Sequence, residues 1–383
     1  MRVAVITETD PTEARVAATP ETVKKLAALG ATVVVQTGAG LASGVIDADY
    51  AAAGAMQAGT AADALNGADV VLKVRRPNAA ELGGMKAGAV VLAIMDPYGN
   101  EQALADMAKA GVAGFAMELM PRITRAQVMD VLSSQANLAG YRAMVDAAAE
   151  YGRAIPMMMT AAGTVTAARI FIMGVGVAGL QAIATARRLG GVVTATDVRP
   201  ATKEQVESLG AKFVAVEDEE FKSAETAGGY AKEMSKEYQA KQAALVATHI
   251  AKQDIIITTA LIPGRPAPRL VSEDMVASMK AGSVIVDLAV ERGGNVAGAK
   301  AGEIVTTPNG VRIVGHVNVA GRLAATASSL YAKNLFNFLE TMVDKQTKAL
   351  AVKWDDELVK ATNLTRDGAV VHPNFQPKPA AQA

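Results

Sequence analysis

The 383-residue sequence contains no cysteine. Disulfides, thiolate metal sites and cysteine nucleophiles are therefore excluded, and a reducing compartment is the natural setting. Net charge is missing too. The 38 Lys and Arg offset 38 Asp and Glu, so neither a nucleic acid nor an anionic membrane surface is indicated as a partner. Histidine is scarce: His249, His316 and His372 are dispersed, no carboxylate cluster has metal-ligand spacing, and no metal site is expected. No apolar run reaches the roughly 18 residues that span a bilayer, which argues against direct membrane insertion. The opening Met1-Arg-Val-Ala-Val-Ile-Thr7 reads as a strand without signal-peptide organisation. A soluble cytoplasmic α/β protein of two domains is the expectation.

What the sequence does contain is an alternation of strand and helix, organised around residues 169–190. Ile170 to Met173 is an apolar run suited to a buried parallel strand. Gly174-Val-Gly176-Val177-Ala-Gly179 matches G-x-G-x-x-G, and Leu180 to Leu189 then reads as a helix stopped by Gly190. Gly174 permits the tight turn, Gly176 lets the backbone approach a pyrophosphate, and Gly179 allows close helix–strand packing. A second strand, Val192 to Thr196, ends in Asp197, about 18 residues past Gly179 and near the spacing of a ribose-binding acid. Asp197 favours NAD(H), whereas Arg199 keeps NADP(H) open because an Arg accommodates a 2′-phosphate. The competing reading is a tight turn that binds nothing.

Before that turn, Val3–Ile6, Ala31–Gln36, Val70–Lys73 and Val90–Met95 read as strands, with a helix from Pro20 capped by Thr19. This rhythm predicts a doubly wound parallel sheet. Lys73-Val-Arg-Arg-Pro77 closes a strand with three cations, either at a ligand site or as a solvated basic turn. A long helix over Gln135–Ala154, capped by Ser133 and Ser134, carries the chain into a second domain. A second long helix over Ala320–Val343 brings it back. Around Gly228-Gly229-Tyr230 a mobile segment, near residues 218–240, is expected, either as a lid or without a role. Strands resume at Ile255–Thr259, Val284–Leu288 and Arg312–Gly315. Thr347–Val352 with Val371 suggests a short ribbon before a disordered tail. The fold class is thus α/β: two doubly wound Rossmann-like domains joined by two long helices. The first is discontinuous (1–133 and 335–383), and the second (134–334) is the dinucleotide domain.

Several longer runs, Glu13-Ala-Arg-Val-Ala-Ala-Thr-Pro20, Met117-Glu-Leu-Met-Pro-Arg122, Asn137-Leu-Ala-Gly-Tyr-Arg142, Pro156-Met-Met-Met-Thr-Ala-Ala-Gly-Thr164 and Ala224-Glu-Thr-Ala-Gly-Gly-Tyr-Ala-Lys232, together resemble the alanine dehydrogenase/transhydrogenase family. Over nearly the whole chain the likeness is to the NAD(H)-binding domain I of proton-translocating NAD(P) transhydrogenases. That resemblance implies that Arg122, Gln127, Asp130 and Ser133, with Leu132, hold the nicotinamide end of NAD(H). It also implies nucleotide contacts at Val177, Asp197, Val198, Arg199, Gly229, Gln242 and Leu261, and a mobile loop carrying Tyr230 and Met234. Hydride would pass directly to NADP(H) held by a partner subunit, coupled to proton movement by a membrane-spanning subunit. A homodimer, peripheral on the cytoplasmic face of the inner membrane through its partners, is implied likewise. Against alanine dehydrogenase itself, Met95 falls near the catalytic His and Glu291 on the catalytic Asp, leaving Arg15 and Lys73 as structural remnants. Alanine dehydrogenase and a non-catalytic NAD-binding regulatory module are the two alternatives.

Overall fold

The computed structural model describes residues 1–222 and 234–376. They form two α/β units: residues Met1–Gln135 together with the chain from Gly321 onward, and Ala136–Ala320. Each is built on a largely parallel sheet of Rossmann-like type, as the strand–helix alternation predicts.

In the first unit the sheet runs Ala369–Val370, Asn363–Arg366, Ala113–Ala116, Val90–Ile94, Val70–Arg75, Arg2–Val5, Thr32–Gln36, Met56–Ala58. Its central strands are continuous apolar runs because both faces are covered. Val3, Val5, Val33, Val35 and Leu72 point into one core layer with Tyr331, Leu335 and Phe338. Ala4, Val34, Val71 and Val91 point into the other with Leu65, Leu104 and Met107. At roughly 1.5–3 kcal/mol per fully buried large side chain, these two layers dominate the unit's stability. Helix Pro20–Ala28 starts as expected, with Thr19 and Thr22 bonded reciprocally as a capping box.

Two elements differ from expectation. The ribbon forms between Asn363–Arg366 and Ala369–Val370, around Asp367 and Gly368 at positive φ, not with Thr347–Val352. There the Asp344 carboxylate accepts from the amides of Gln346 and Thr347, closing a tight turn that leaves one bridge, Val343 to Leu350. The second unit ends at Ala320, not near residue 334. Helix Ala324–Glu340 belongs wholly to the first unit, because Ala327, Tyr331, Leu335, Phe338 and Leu339 form one buried face on that unit's side. The other long helix, Val131–Glu150, runs through the division.

In the second unit the order is Lys212–Phe213, Val192–Thr196, Arg169–Met173, Ile255–Thr258, Val284–Asp287, Arg312–Val314, Ile304–Thr306, all parallel except the last. Strand order reverses between Arg169–Met173 and Ile255–Thr258, so a crevice opens at their carboxyl ends. Ile170 and Ile172 pack into one layer and Phe171 and Met173 into the other. A separate antiparallel hairpin, Met158–Thr160 with Gly163–Val165, is exposed at every residue.

Candidate functional site

The glycine turn sits at that crevice, and each glycine meets a different constraint. Gly174 has φ +100°, and a Cβ there would stand 2.6 Å from the Thr259 hydroxyl. That hydroxyl donates to the Gly174 carbonyl at 3.0 Å, tying the turn to the neighbouring strand end. A Cβ on Gly179 would lie 1.9 Å from the Gly174 carbonyl oxygen, so helix and strand touch through backbone. Gly176 meets nothing within 4 Å; its open side lets the chain's backbone approach a pyrophosphate. Gly176 is also the N-cap of helix Val177–Arg188 and supplies no side-chain cap. The first-turn N–H groups, with the positive end of the helix dipole, are thereby left to an anion. These features fit a bound dinucleotide.

Asp197 is fastened to the turn. Its Oδ2 accepts from the Val175 amide at 2.7 Å, while the Arg199 side chain pairs with it through Nε (2.9 Å) and an Nη (3.0 Å). Val198, between them, is exposed. Gln242 braces the same edge, accepting from the Val216 amide at 2.8 Å and donating to the Thr196 hydroxyl at 3.3 Å. Leu261 follows the strand end beside Gly174 and is 53% exposed. Asn295 holds this stretch by bonding both the N–H and the carbonyl of Ala260, a role the sequence did not reveal. Met234 is half-buried and its carbonyl accepts from Gln239. Gly229 and Tyr230 lie outside the described residues.

The polar segment from Arg122 to Ser133 lies in the first unit. Residues Thr124–Met129 form a 3-10 turn with Ala126 and Met129 buried beneath it. Arg122, Gln127 and Leu132 are exposed. Asp130 accepts from the Ser133 amide at 2.9 Å and from its hydroxyl, capping a helix that begins at Val131. The cap is thus Asp130, not Ser133 or Ser134, because a carboxylate three residues upstream reaches the free amide. The helix also ends earlier than expected, at Glu150.

Arg15 and Lys73 are deeply buried in the first unit, Lys73 at 1% exposure, so the solvated-turn reading of Lys73 does not hold. Carboxylates the sequence did not single out explain how. Arg15 donates to Glu13 at 2.7 and 2.6 Å and to Gln135 at 2.8 Å. Lys73 meets Glu81 at 3.0 Å and Glu8 at 3.3 Å. Burial pushes the Glu8 carboxyl up, outweighing the pull of Lys73. For Glu13, burial is outweighed by the hydrogen bond and charge of Arg15 and by Arg75, and the carboxyl is held below its usual value. Met95 is fully buried and cannot exchange a proton, and Glu291 accepts from the Asn318 amide in the second unit. Among the described residues no group of His, Asp and Glu could hold a metal ion, and no helix is long and apolar enough to cross a membrane.

A glycine turn at the switch point of a parallel sheet, with an acid closing the next strand, defines a Rossmann-like nucleotide-binding protein. Residues 4–139 match the model for the alanine dehydrogenase/PNT N-terminal domain and residues 143–373 that for the C-terminal domain. The chain belongs to the alanine dehydrogenase/PNT family, on its transhydrogenase alpha-subunit branch. It is 58% identical to the first portion of the NAD(P) transhydrogenase alpha subunit of Rhodospirillum rubrum, over 97% of this chain and 98% of that one. Identity to alanine dehydrogenase of Mycobacterium tuberculosis is 31%, over 78% and 75% of the two chains. Among solved structures, the transhydrogenase from Sinorhizobium meliloti superposes with a TM-score of 0.89 at 67% identity, covering 97% of this chain and 100% of that chain.

Proposed function

We propose that this chain is the NAD(H)-binding subunit of a proton-translocating transhydrogenase, passing hydride directly between NAD(H) held here and NADP(H) on a partner subunit. The observation that carries the reading is a contrast. The glycine turn keeps an open backbone and an uncapped helix N-terminus, while the buried cations Arg15 and Lys73 are neutralised by the chain's own carboxylates. A nucleotide site is thus available, and neither of these two cations is left over for an amino or keto acid. With Met95 where a proton-transferring side chain would be needed, imine–amine interconversion has no acid–base group at that position. This disfavours the alanine dehydrogenase alternative.

Bound NAD(H) supplies the hydride. The chain's task is binding and orientation. The turn at Gly174, Gly176 and Gly179 and the amide of Val177 take the pyrophosphate, and Asp197 accepts from the ribose hydroxyls. Val198, Arg199, Gln242 and Leu261 flank the adenosine, and Gly229, Tyr230 and Met234 complete the proposed nucleotide contacts. Arg122, Gln127, Asp130 and Ser133, beside Leu132, orient the nicotinamide. Proton coupling resides in a membrane-spanning partner, which holds this subunit at the cytoplasmic face of the membrane. A homodimer is supported by the exposed hairpin bearing Met157, Met158 and Met159, since an isolated two-stranded ribbon is marginal in water without a covering surface.

The test mixes the chain with an NADP+-loaded partner subunit and NADH deuterated at the transferring position. Label should move to NADPH without loss to water. Absence of transfer, or NADH formation from alanine by the chain alone, overturns the reading.

A further inference from the structure

We propose that Asn334, assisted by Asn337 and Arg125, is a positioning residue that sets the pose of the Arg122–Ser133 segment. The inference rests on the proposed reading only in taking that segment as the one that orients nicotinamide. The turn Thr124–Met129 presents Gln127 outward, and a short 3-10 turn has few internal bonds to hold that presentation. Its rigidity must come from outside.

Helix Ala324–Glu340 supplies it. Asn334 donates its amide to the Val128 carbonyl at 2.8 Å, and Asn337, one turn on, donates to the same oxygen at 3.0 Å. The Asn334 amide cannot rotate freely, because its oxygen accepts from the Ser134 hydroxyl at 2.7 Å. Ser134 accepts in turn from Gln135 at 3.1 Å, and Gln135 accepts from the buried Arg15 that is paired with Glu13. The carbonyl one residue past Gln127 is therefore anchored to a buried ion pair through a chain of side chains. On the near side, Arg125 forms two bonds to Asp356 (3.0 and 2.8 Å) and one to Glu357 (3.0 Å). Gln127 lies between the two anchors.

Asn334 is an unexpected residue for this place. It is 7% exposed on a helix face otherwise made of Tyr331, Leu335 and Phe338, and asparagine is a poorer helix former than leucine. A buried amide is tolerated when its bonds are made, and these bonds go to the segment and its supporting helix. None of the three side chains acts on the reacting atoms; they act through where Gln127 stands.

The experiment compares the unaltered chain with Asn334→Asp and with the double variant Asn337→Ala/Arg125→Ala, each mixed with the NADP(H)-binding subunit and NADH. Asn334→Asp keeps the volume and the acceptor toward Ser134, but replaces the donor toward Val128 with a charged acceptor. The hydride-transfer rate at saturating NADH should fall about 10- to 100-fold while the KM for NADH stays within about threefold, the pattern of lost orientation rather than lost binding. As pH is lowered, protonation of the introduced carboxyl restores an O–H donor, so transfer relative to the unaltered chain should recover. The double variant changes one exposed and one half-buried side chain, leaves folding intact and should lose transfer about 3- to 10-fold by the same orientational loss. Wild-type transfer per folded molecule in both variants overturns the proposal, as does a loss that tracks melting temperature with no acid recovery. If the unaltered chain transfers no hydride, the functional reading falls and this inference with it.

Discussion

A carboxylate with two duties makes a sharp test of the residue scale. Asp130 caps helix Val131–Glu150 and is also proposed to face the nicotinamide. Asparagine caps about as well as aspartate, so Asp130→Asn should leave the melting temperature nearly unchanged while removing the charge. Gln127→Asn shortens the reach of an exposed side chain by one methylene. Each should lower single-turnover transfer about 10- to 100-fold with only a few-fold change in NADH affinity. Unchanged rates in both would remove these residues from the catalytic segment. Asp197 gives the second test. Asp197 pairs with Arg199, so under the proposed assignment acid and cation compete for a 2′-phosphate. NADH should bind more tightly than NADPH to the unaltered chain, and Asp197→Ala should shift preference toward NADPH by removing the carboxylate that pairs with Arg199. Titration of both nucleotides decides, and equal affinities before substitution would discard the ribose-acid assignment.

Close approach of backbones governs the elements. Gly140, in the portion of the long helix that belongs to the second unit, packs on the glycine turn: a Cβ there would stand 2.0 Å from the Ala178 carbonyl oxygen. In an isolated helix, alanine would be better than glycine by about 1 kcal/mol. Here the obstacle is backbone, which cannot rotate away, and overpacking of this kind costs about 1–3 kcal/mol. Gly140→Ala should therefore lower the melting temperature and weaken NADH binding together, because Ala178 lies inside the G-x-G-x-x-G turn. A variant as stable as the parent with undiminished affinity would show that the two helices can part without consequence.

At the scale of the whole molecule, the hairpin of Met158–Thr160 and Gly163–Val165 is an exposed apolar surface on which the proposed dimer can be tested. Met159 is 79% exposed, and Met157 and Val165 lie in or beside the same ribbon. If a second copy covers it, Met157→Lys with Met159→Lys should convert a dimer into a monomer in sedimentation velocity. The cost of burying two unpaired ammonium groups exceeds what a ribbon contact returns. An unaltered chain that sediments as a monomer would discard the homodimer.

The sequence alone was enough for what depends on neighbours along the chain. Alternating apolar runs and glycines specified most of the parallel strands of both sheets, since a strand buried on two faces admits little else. The strand–turn–helix at Gly174 was legible because its constraints fall within six residues. The Thr19 cap and the acid at Asp197 follow the same logic of fixed short spacing. Tertiary structure decided what depends on distant partners. Lys73 reads as a surface cation until Glu8 and Glu81 enclose it. Arg15 finds Gln135 across 120 positions, and Asn334 finds Val128 across 206. Helix Ala324–Glu340 joined the first unit because its apolar face met that unit's core, which no local pattern announces. A side chain's charge and size are written in the sequence; which opposite charge or carbonyl meets it is settled only when the chain closes on itself.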